Sequence, residues 1–156
     1  MILLAHMIFG AAAGFLFKNP YLGIVAALAS HYFLDILPHV EYLESAESSV
    51  QKIKSDSFKK WLPDFIKVSI DFFLAILIIF LCSGNQFIVY VYAMAAIIPD
   101  GITVIHTLFP SMIFKQHQQF HGSIQYSTRN KKFSLFWRIS TQVLAILVGI
   151  ILLISR

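Results

Sequence analysis

The chain has 156 residues, of which 58% are hydrophobic and only 13% are charged, and its formal net charge at pH 7 is +4. Soluble domains carry roughly 25% charged residues, so a chain this short cannot cover a water-facing surface. The composition therefore predicts a single integral-membrane domain over residues 1–156, with the lipid bilayer as its partner and no binding of nucleic acid. The single cysteine, Cys82, excludes an intramolecular disulfide and a cysteine-based zinc site.

Five apolar segments have the character of membrane helices, so the predicted fold class is an all-α polytopic membrane bundle of about five helices. They cover residues 2–17, 21–37, 63–82, 86–108 and 133–154. No Lys or Arg precedes the first segment, as a secretory signal would require, so we expect it to stay as a permanent helix. The first two segments are short for a hydrocarbon core that takes about 20 residues, which favours a tilted or partly inserted hairpin.

Two polar connections set the expected topology. Residues 40–62 are predicted to form a loop with an interfacial helix on the membrane surface, and residues 110–132 are predicted to form a polar loop. Five spans place both connections on the side of the N-terminus, which then holds most of the basic residues. The positive-inside rule makes this side cytoplasmic, so we expect a bacterial inner-membrane protein with a cytoplasmic N-terminus.

The stretch from His31 to His39 carries ionisable residues at the end of an apolar run. His31 and Asp35 are four residues apart, so they lie on one face of a helix. Pro38 disfavours helical geometry at Leu37, so the helix should end just before His39. Two imidazoles and a carboxylate spaced in this way can close on one zinc-type ion. The alternative is an Asp–His hydrogen bond that fills a gap between packed helices.

Other ionisable residues fall at the same predicted depth. His6 lies near the start of the first helix, Asp71 lies two turns into the third, and Asp100 lies near the end of the fourth. His117 and His121 follow in the next polar connection. All of them belong to the N-terminal side of the bilayer. Ionisable residues inside a membrane are costly and normally face a bundle interior, so one shared site is predicted.

The predicted site divides into metal ligands and catalytic groups. One divalent ion with an open position, or two ions about 3.5–4 Å apart, can activate water, and zinc is the first candidate. The expected catalytic groups, acting as a general base or orienting the ligands, are Asp71 and His117. The expected metal ligands are His6, His31, Asp35, His39, Asp100 and His121.

Part of this pattern resembles a known superfamily. The segment His31-x3-Asp35-x2-Pro38-His39 is similar to the His-x3-Asp…Pro…His segment of the zinc-dependent phospholipase C and P1-nuclease superfamily. Members of that superfamily are helical and cleave phosphodiesters with clustered zinc ions. The interval between Asp35 and His39 is shorter here, and the chain lacks a second His-x3-Glu or His-x3-Asp pair.

The layout of the whole chain is closer to the bacterial membrane-bound metal-dependent hydrolases, some of which are LexA-regulated. These short multi-span proteins have an early histidine, here His6, a Pro-Asp pair, here residues 99–100, and a later His-Arg-Gly-x-Thr-His-Ser segment. In this chain the last segment begins at His121 and has Tyr126 in place of the second histidine, for which His117 could substitute. The resemblance implies metal-dependent hydrolysis as the reaction class.

Three functions are consistent with these residues. The first is a membrane-embedded metal-dependent hydrolase that acts on a lipid phosphoester or a similar amphipathic ester at the cytoplasmic leaflet. The second is a metal-ion or proton transporter that uses the same cluster as a transient site, although the ionisable residues stop halfway across the bilayer. The third is a non-catalytic scaffold held together by its polar cluster. An open metal position favours the first, and a path to the opposite side favours the second.

Overall fold

The computed structural model describes residues 3–40, 58–109, 111–129 and 133–156. Every regular element in these ranges is a helix, which confirms the predicted all-α class. The described part contains six helices, named in chain order. They are α1 (Leu3–Phe15), α2 (Pro20–Ile36), α3 (Phe58–Cys82), α4 (Phe87–Leu108), α5 (Met112–Arg129) and α6 (Leu135–Ile154).

The structure differs from the prediction at both polar connections. Residues 110–132 were predicted to form a loop, but most of this segment is the helix α5, which packs against α2 and α4. The polar side chains that suggested a loop include those that α5 turns towards these neighbours. The third helix begins earlier than predicted, at Phe58. Within the segment 40–62 that was predicted to hold the interfacial helix, residues 41–57 lie outside the described residues.

Of the six helices in the described ranges, three are long and apolar enough to cross a membrane, over Phe65–Cys82, Phe87–His106 and Leu135–Ile154. Their outer faces expose large apolar side chains, such as Phe73 at 69% and Phe136 at 72%. Soluble monomers rarely expose contiguous apolar patches larger than a few hundred Å². Length, composition and exposure together are those of a membrane protein.

The shortest helix, α1, lies at the centre of the bundle. Nine of its 13 residues are buried, and it packs against α2, α3, α4 and α6. At 1.5 Å per residue it is about 20 Å long, which is less than the roughly 30 Å of a hydrocarbon core. The helix is therefore an internal core element surrounded by longer ones.

Small residues allow this close packing. A Cβ added at Gly10 of α1 would lie 2.2 Å from the Cβ of Ala96 on α4 and 3.3 Å from the Oγ of Ser30 on α2. Stripes of small residues let membrane helices approach closely. The contact lies one turn along α1 from His6, so it fixes the distance between the helices that carry the ionisable residues.

The end of α2 follows the prediction from Pro38. Leu37 has extended backbone geometry, so residues 37–40 leave the helix and expose backbone carbonyls inside the bundle. Two side chains of α6 satisfy them: the Thr141 hydroxyl donates to the carbonyl of Pro38, and Gln142 Nε2 donates to the carbonyl of Val40 at 2.7 Å. Irregular backbone at membrane depth is tolerated only where protein groups or water satisfy it.

We expect Gly10→Ala to lower the stability of the bundle by about 1–3 kcal/mol, because the added methyl group overpacks the contact with Ala96. The measurement is thermal unfolding of purified protein in detergent. Gly101→Ala on α4 is the matched control, since no atom lies within 4 Å of a Cβ added there. Equal unfolding temperatures for the two variants would contradict the close α1–α4 contact.

Candidate metal centre

Four helices bring five of the predicted site residues together. His6 comes from the first turns of α1, His31 and Asp35 come from the last turns of α2, Asp100 comes from α4, and His121 comes from α5. The spacing of four residues places His31 and Asp35 on one face of α2, as predicted. We call these five side chains the His/Asp cluster.

Three ligand atoms form the centre of the His/Asp cluster. His121 Nε2 lies 2.8 Å from Asp35 Oδ2 and 3.1 Å from His31 Nε2, and His31 Nε2 lies 3.3 Å from the same Asp35 oxygen. These distances close a triangle of two imidazole nitrogens and one carboxylate oxygen. All three side chains are buried.

Two further side chains complete the cluster. The other oxygen of Asp35, Oδ1, lies 3.3 Å from His6 Nε2, and the rings of His6 and His31 stack with centroids 4.2 Å apart. Asp100 Oδ1 lies 3.6 Å from His31 Nε2 and 3.8 Å from His121 Nε2. The Asp35 carboxylate thus lies at the centre of the His/Asp cluster, and the Asp100 carboxylate lies at its edge.

Burial differs between the two carboxylates. The side chains of His6, His31 and Asp35 are at most 1% exposed, and that of His121 is 5% exposed. The side chain of Asp100 is 39% exposed. The cluster is therefore closed on the sides of α1, α2 and α5 and accessible on the side of Asp100.

The donor set can hold a metal ion. Ligands bound tetrahedrally at about 2.0–2.1 Å, as for zinc, are about 3.3 Å apart, and the distances between the ligand atoms here run from 2.8 to 3.8 Å. A divalent ion would also balance the charges of Asp35 and Asp100, which are otherwise costly inside a membrane. Neither ring nitrogen of the buried His6 makes a well-formed hydrogen bond within the described residues, which suits a site that takes a further group.

The candidate ligands fall into two overlapping groups. Two groups of potential ligands occur in the described part of the chain, His6–His31–Asp100 and His31–Asp35–His121. Both depend on His31, and the Nε2 atom of this ring lies in the triangle with Asp35 and His121. The sequence left one or two ions open, and the shared histidine is the residue that two ions would have to divide between them.

Three predicted site residues lie outside both of these groups. His39 Nδ1 donates to the carbonyl of Leu37 at 2.7 Å, so the ring turns back on its own loop. Asp71 is buried on α3, a helix that packs mainly against α1 and α6. His117 Nε2 donates to the carbonyl of Pro99 at 3.1 Å, and its ring stacks on His121 one turn away.

One residue beside the cluster was missed by the sequence analysis. The Thr103 hydroxyl lies 3.3 Å from His121 Nδ1 and 3.2 Å from the carbonyl of Pro99. Its position three residues after Asp100 places it on the same face of α4, and this spacing is the signal that could have identified it.

Comparisons with known proteins returned no similarity. No family model matches the chain, and neither the curated proteins nor the solved structures contain a significant match.

We expect wild-type protein to retain about one divalent ion per chain after purification in detergent without chelator, and His31→Ala or His121→Ala to remove it, because each loses one corner of the triangle. Elemental mass spectrometry measures the ion. His39→Ala and His106→Ala are matched controls that remove a histidine outside both ligand groups. Loss of the ion in the controls, or its retention in His31→Ala, would contradict this ligand assignment.

Proposed function

We propose that the chain is a membrane-embedded metal-dependent hydrolase that acts on a lipid phosphoester or a similar amphipathic ester. The observation that supports this most is the asymmetry of the His/Asp cluster. Three histidines and Asp35 are buried, whereas Asp100 is 39% exposed. A catalytic metal site needs three or so protein ligands and one accessible position, and the side of Asp100 provides that access.

Each residue has a distinct part in this proposal. His31, His121 and Asp35 hold the ion, and His6, whose Nε2 lies 3.3 Å from the second oxygen of Asp35, borders the ion on the side of α1. When bound, a zinc-type ion supplies polarisation of the scissile group and an activated water. Asp100, at the accessible side, is placed to accept a proton from the attacking water as a general base.

The depth of the site supports an amphipathic substrate. Asp100 lies eight residues before the end of α4, about 12 Å along the helix, and Asp35 lies one residue before the end of α2. Around the same end, large apolar side chains are exposed, including Phe33, Ile36 and Phe120. A substrate with an apolar tail in the bilayer can present its head group at this depth, whereas a water-soluble substrate would have to enter the apolar layer.

The proposed location follows the charge distribution of the sequence. With the N-terminus in the cytoplasm, the cluster opens towards the cytoplasmic leaflet of a bacterial inner membrane. The sequence also resembles the bacterial membrane-bound metal-dependent hydrolases at His6, the Pro99-Asp100 pair and His121. This resemblance implies metal-dependent hydrolysis, the reaction class proposed here.

A transporter would need polar groups beyond the cluster. In the described part of the chain, the buried polar side chains towards the opposite membrane side are Ser30 and Ser83. Between them the core consists of Ala27, Ala93 and Ala96, all fully buried. Among the described residues, an ion that left the cluster in this direction would meet hydroxyl groups but no carboxylate or imidazole, so hydrolysis is favoured over transport.

We expect zinc-loaded protein to cleave a fluorescent phosphatidylglycerol in mixed micelles. Asp100→Asn should lower kcat at least about tenfold, because a neutral amide cannot act as the general base, while the bound ion is retained. Ser123→Ala is the matched control, since this exposed hydroxyl on α5 donates to the carbonyl of Phe120 and lies outside the His/Asp cluster.

The same preparations separate the alternatives. Zinc uptake into proteoliposomes at rates above protein-free vesicles would favour the transporter. Full activity in Asp100→Asn, or no cleavage by wild-type protein that holds its ion across a panel of phosphate mono- and diesters, would contradict the hydrolase proposal.

A further inference from the structure

Helix α4 contacts both histidines of α5 at one place, one through a backbone carbonyl and the other through a side-chain hydroxyl. The carbonyl of Pro99 accepts a hydrogen bond from His117 Nε2 at 3.1 Å, and it also lies 3.2 Å from the Thr103 hydroxyl. That hydroxyl in turn lies 3.3 Å from His121 Nδ1. His117 and His121 are four residues apart, so they face α4 from one side of α5.

The protons in this chain of contacts can be assigned. A carbonyl oxygen only accepts hydrogen bonds, whereas a hydroxyl has one proton to donate and lone pairs to accept. The Thr103 proton therefore serves the carbonyl of Pro99, and Thr103 Oγ1 accepts from His121 Nδ1–H. Without an ion, His121 Nε2 also carries a proton, which it donates to Asp35 Oδ2 at 2.8 Å. When an ion binds, that proton leaves, and the proton on Nδ1 keeps the Nε2 lone pair directed at the ligand atoms of the cluster.

We propose that Thr103 is a positioning residue that fixes His121 in the Nδ1–H tautomer and aims its Nε2 lone pair at the metal. The inference rests on the proposed function, since it assigns the partner of one proposed ligand. Histidine ligands usually donate their other N–H group to a carboxylate, carbonyl or water, and this partner fixes the tautomer and ring orientation. Here a hydroxyl has that role.

This arrangement explains how α5 can supply a ligand. Unlike α3, α4 and α6, α5 is not among the helices long and apolar enough to span the membrane, and its outer face exposes Met112 at 81% and Ile113 at 79%. Its inner face is connected to α4 through His117 and His121. The position of His121 therefore depends on a hydrogen-bonded contact with Pro99 and Thr103 as well as on apolar packing.

The test compares Thr103→Val with Thr103→Ser. Valine has nearly the same shape as threonine but lacks the hydroxyl, whereas serine keeps it. We expect Thr103→Val to raise the Kd for zinc by about 10–100-fold, the usual effect of losing such a partner, and Thr103→Ser to bind within about threefold of wild type. Competition with a fluorescent zinc chelator in detergent measures the Kd.

A second readout is independent of zinc affinity. In protein labelled with ¹⁵N-histidine, the nitrogen shifts of His121 are assigned with a His121→Gln sample and recorded with and without zinc. In wild type and Thr103→Ser they should show a proton on Nδ1 in both forms and a proton on Nε2 only in the metal-free form. In Thr103→Val the fraction of His121 that carries a proton on Nδ1 should fall. Equal zinc affinity in all three proteins, equal weakening by serine and valine, or a wild-type His121 without a proton on Nδ1 would each overturn the inference.

The two readouts also separate this inference from the proposed function. If wild-type protein binds no zinc but Thr103→Val still changes the tautomer of His121, the metal function fails and the positioning role stands. If zinc binds and is hydrolytically active but Thr103→Val changes neither Kd nor tautomer, the positioning role fails alone.

Discussion

Burial of the Asp35 carboxylate is the constraint on which the rest of the structure depends. The side chain is 1% exposed in a bundle of apolar helices, where an uncompensated carboxylate is very costly. Histidines from three helices surround it: His6 and His121 reach it from α1 and α5, and His31 reaches it from one turn earlier on α2. The positions of α1, α2 and α5 are therefore coupled through one anionic group, which a bound cation would neutralise further.

The small residues of the core make that convergence possible. Gly10 lets α1 approach Ala96 of α4, and Ala27 of α2 is fully buried in the same region. Because α1 is short and lies at the centre of the bundle, it places His6 inside the bundle, beside Asp35 and His31 near the C-terminal end of α2. The polar side chains of α6 then satisfy the irregular backbone after Leu37. Close packing of small residues thus brings the helices together at Gly10 and Ala96, and hydrogen bonds from α6 satisfy the backbone carbonyls that follow α2.

Much of the cluster could be predicted from the sequence, since helical spacing pairs His31 with Asp35 and apolar runs give His6 and Asp100 a common depth. The helix α5 could not be predicted from the sequence, because its polar composition resembles that of a loop and its folding depends on contacts with α2 and α4. The spacing of His117 and His121 was the available signal. His39 was predicted as a ligand from its distance along the chain, but the extended backbone at Leu37 directs its Nδ1 to a carbonyl. The spacing of Thr103 from Asp100 places it on the site's face of α4, but its contact with His121 and the contact of Pro99 with His117 depend on docking between α4 and α5.

The central claim is that His31, Asp35 and His121 hold one metal ion, with His6 and Asp100 beside it. The most direct test is X-ray absorption spectroscopy at the zinc edge on zinc-loaded wild-type protein in detergent. We expect a shell of nitrogen and oxygen atoms at about 2.0–2.1 Å, with the outer-shell scattering of at least two imidazole rings. A shell of oxygen atoms without imidazole scattering, or zinc bound only in loose excess, would show that the cluster is a structural hydrogen-bonded core instead of a metal centre.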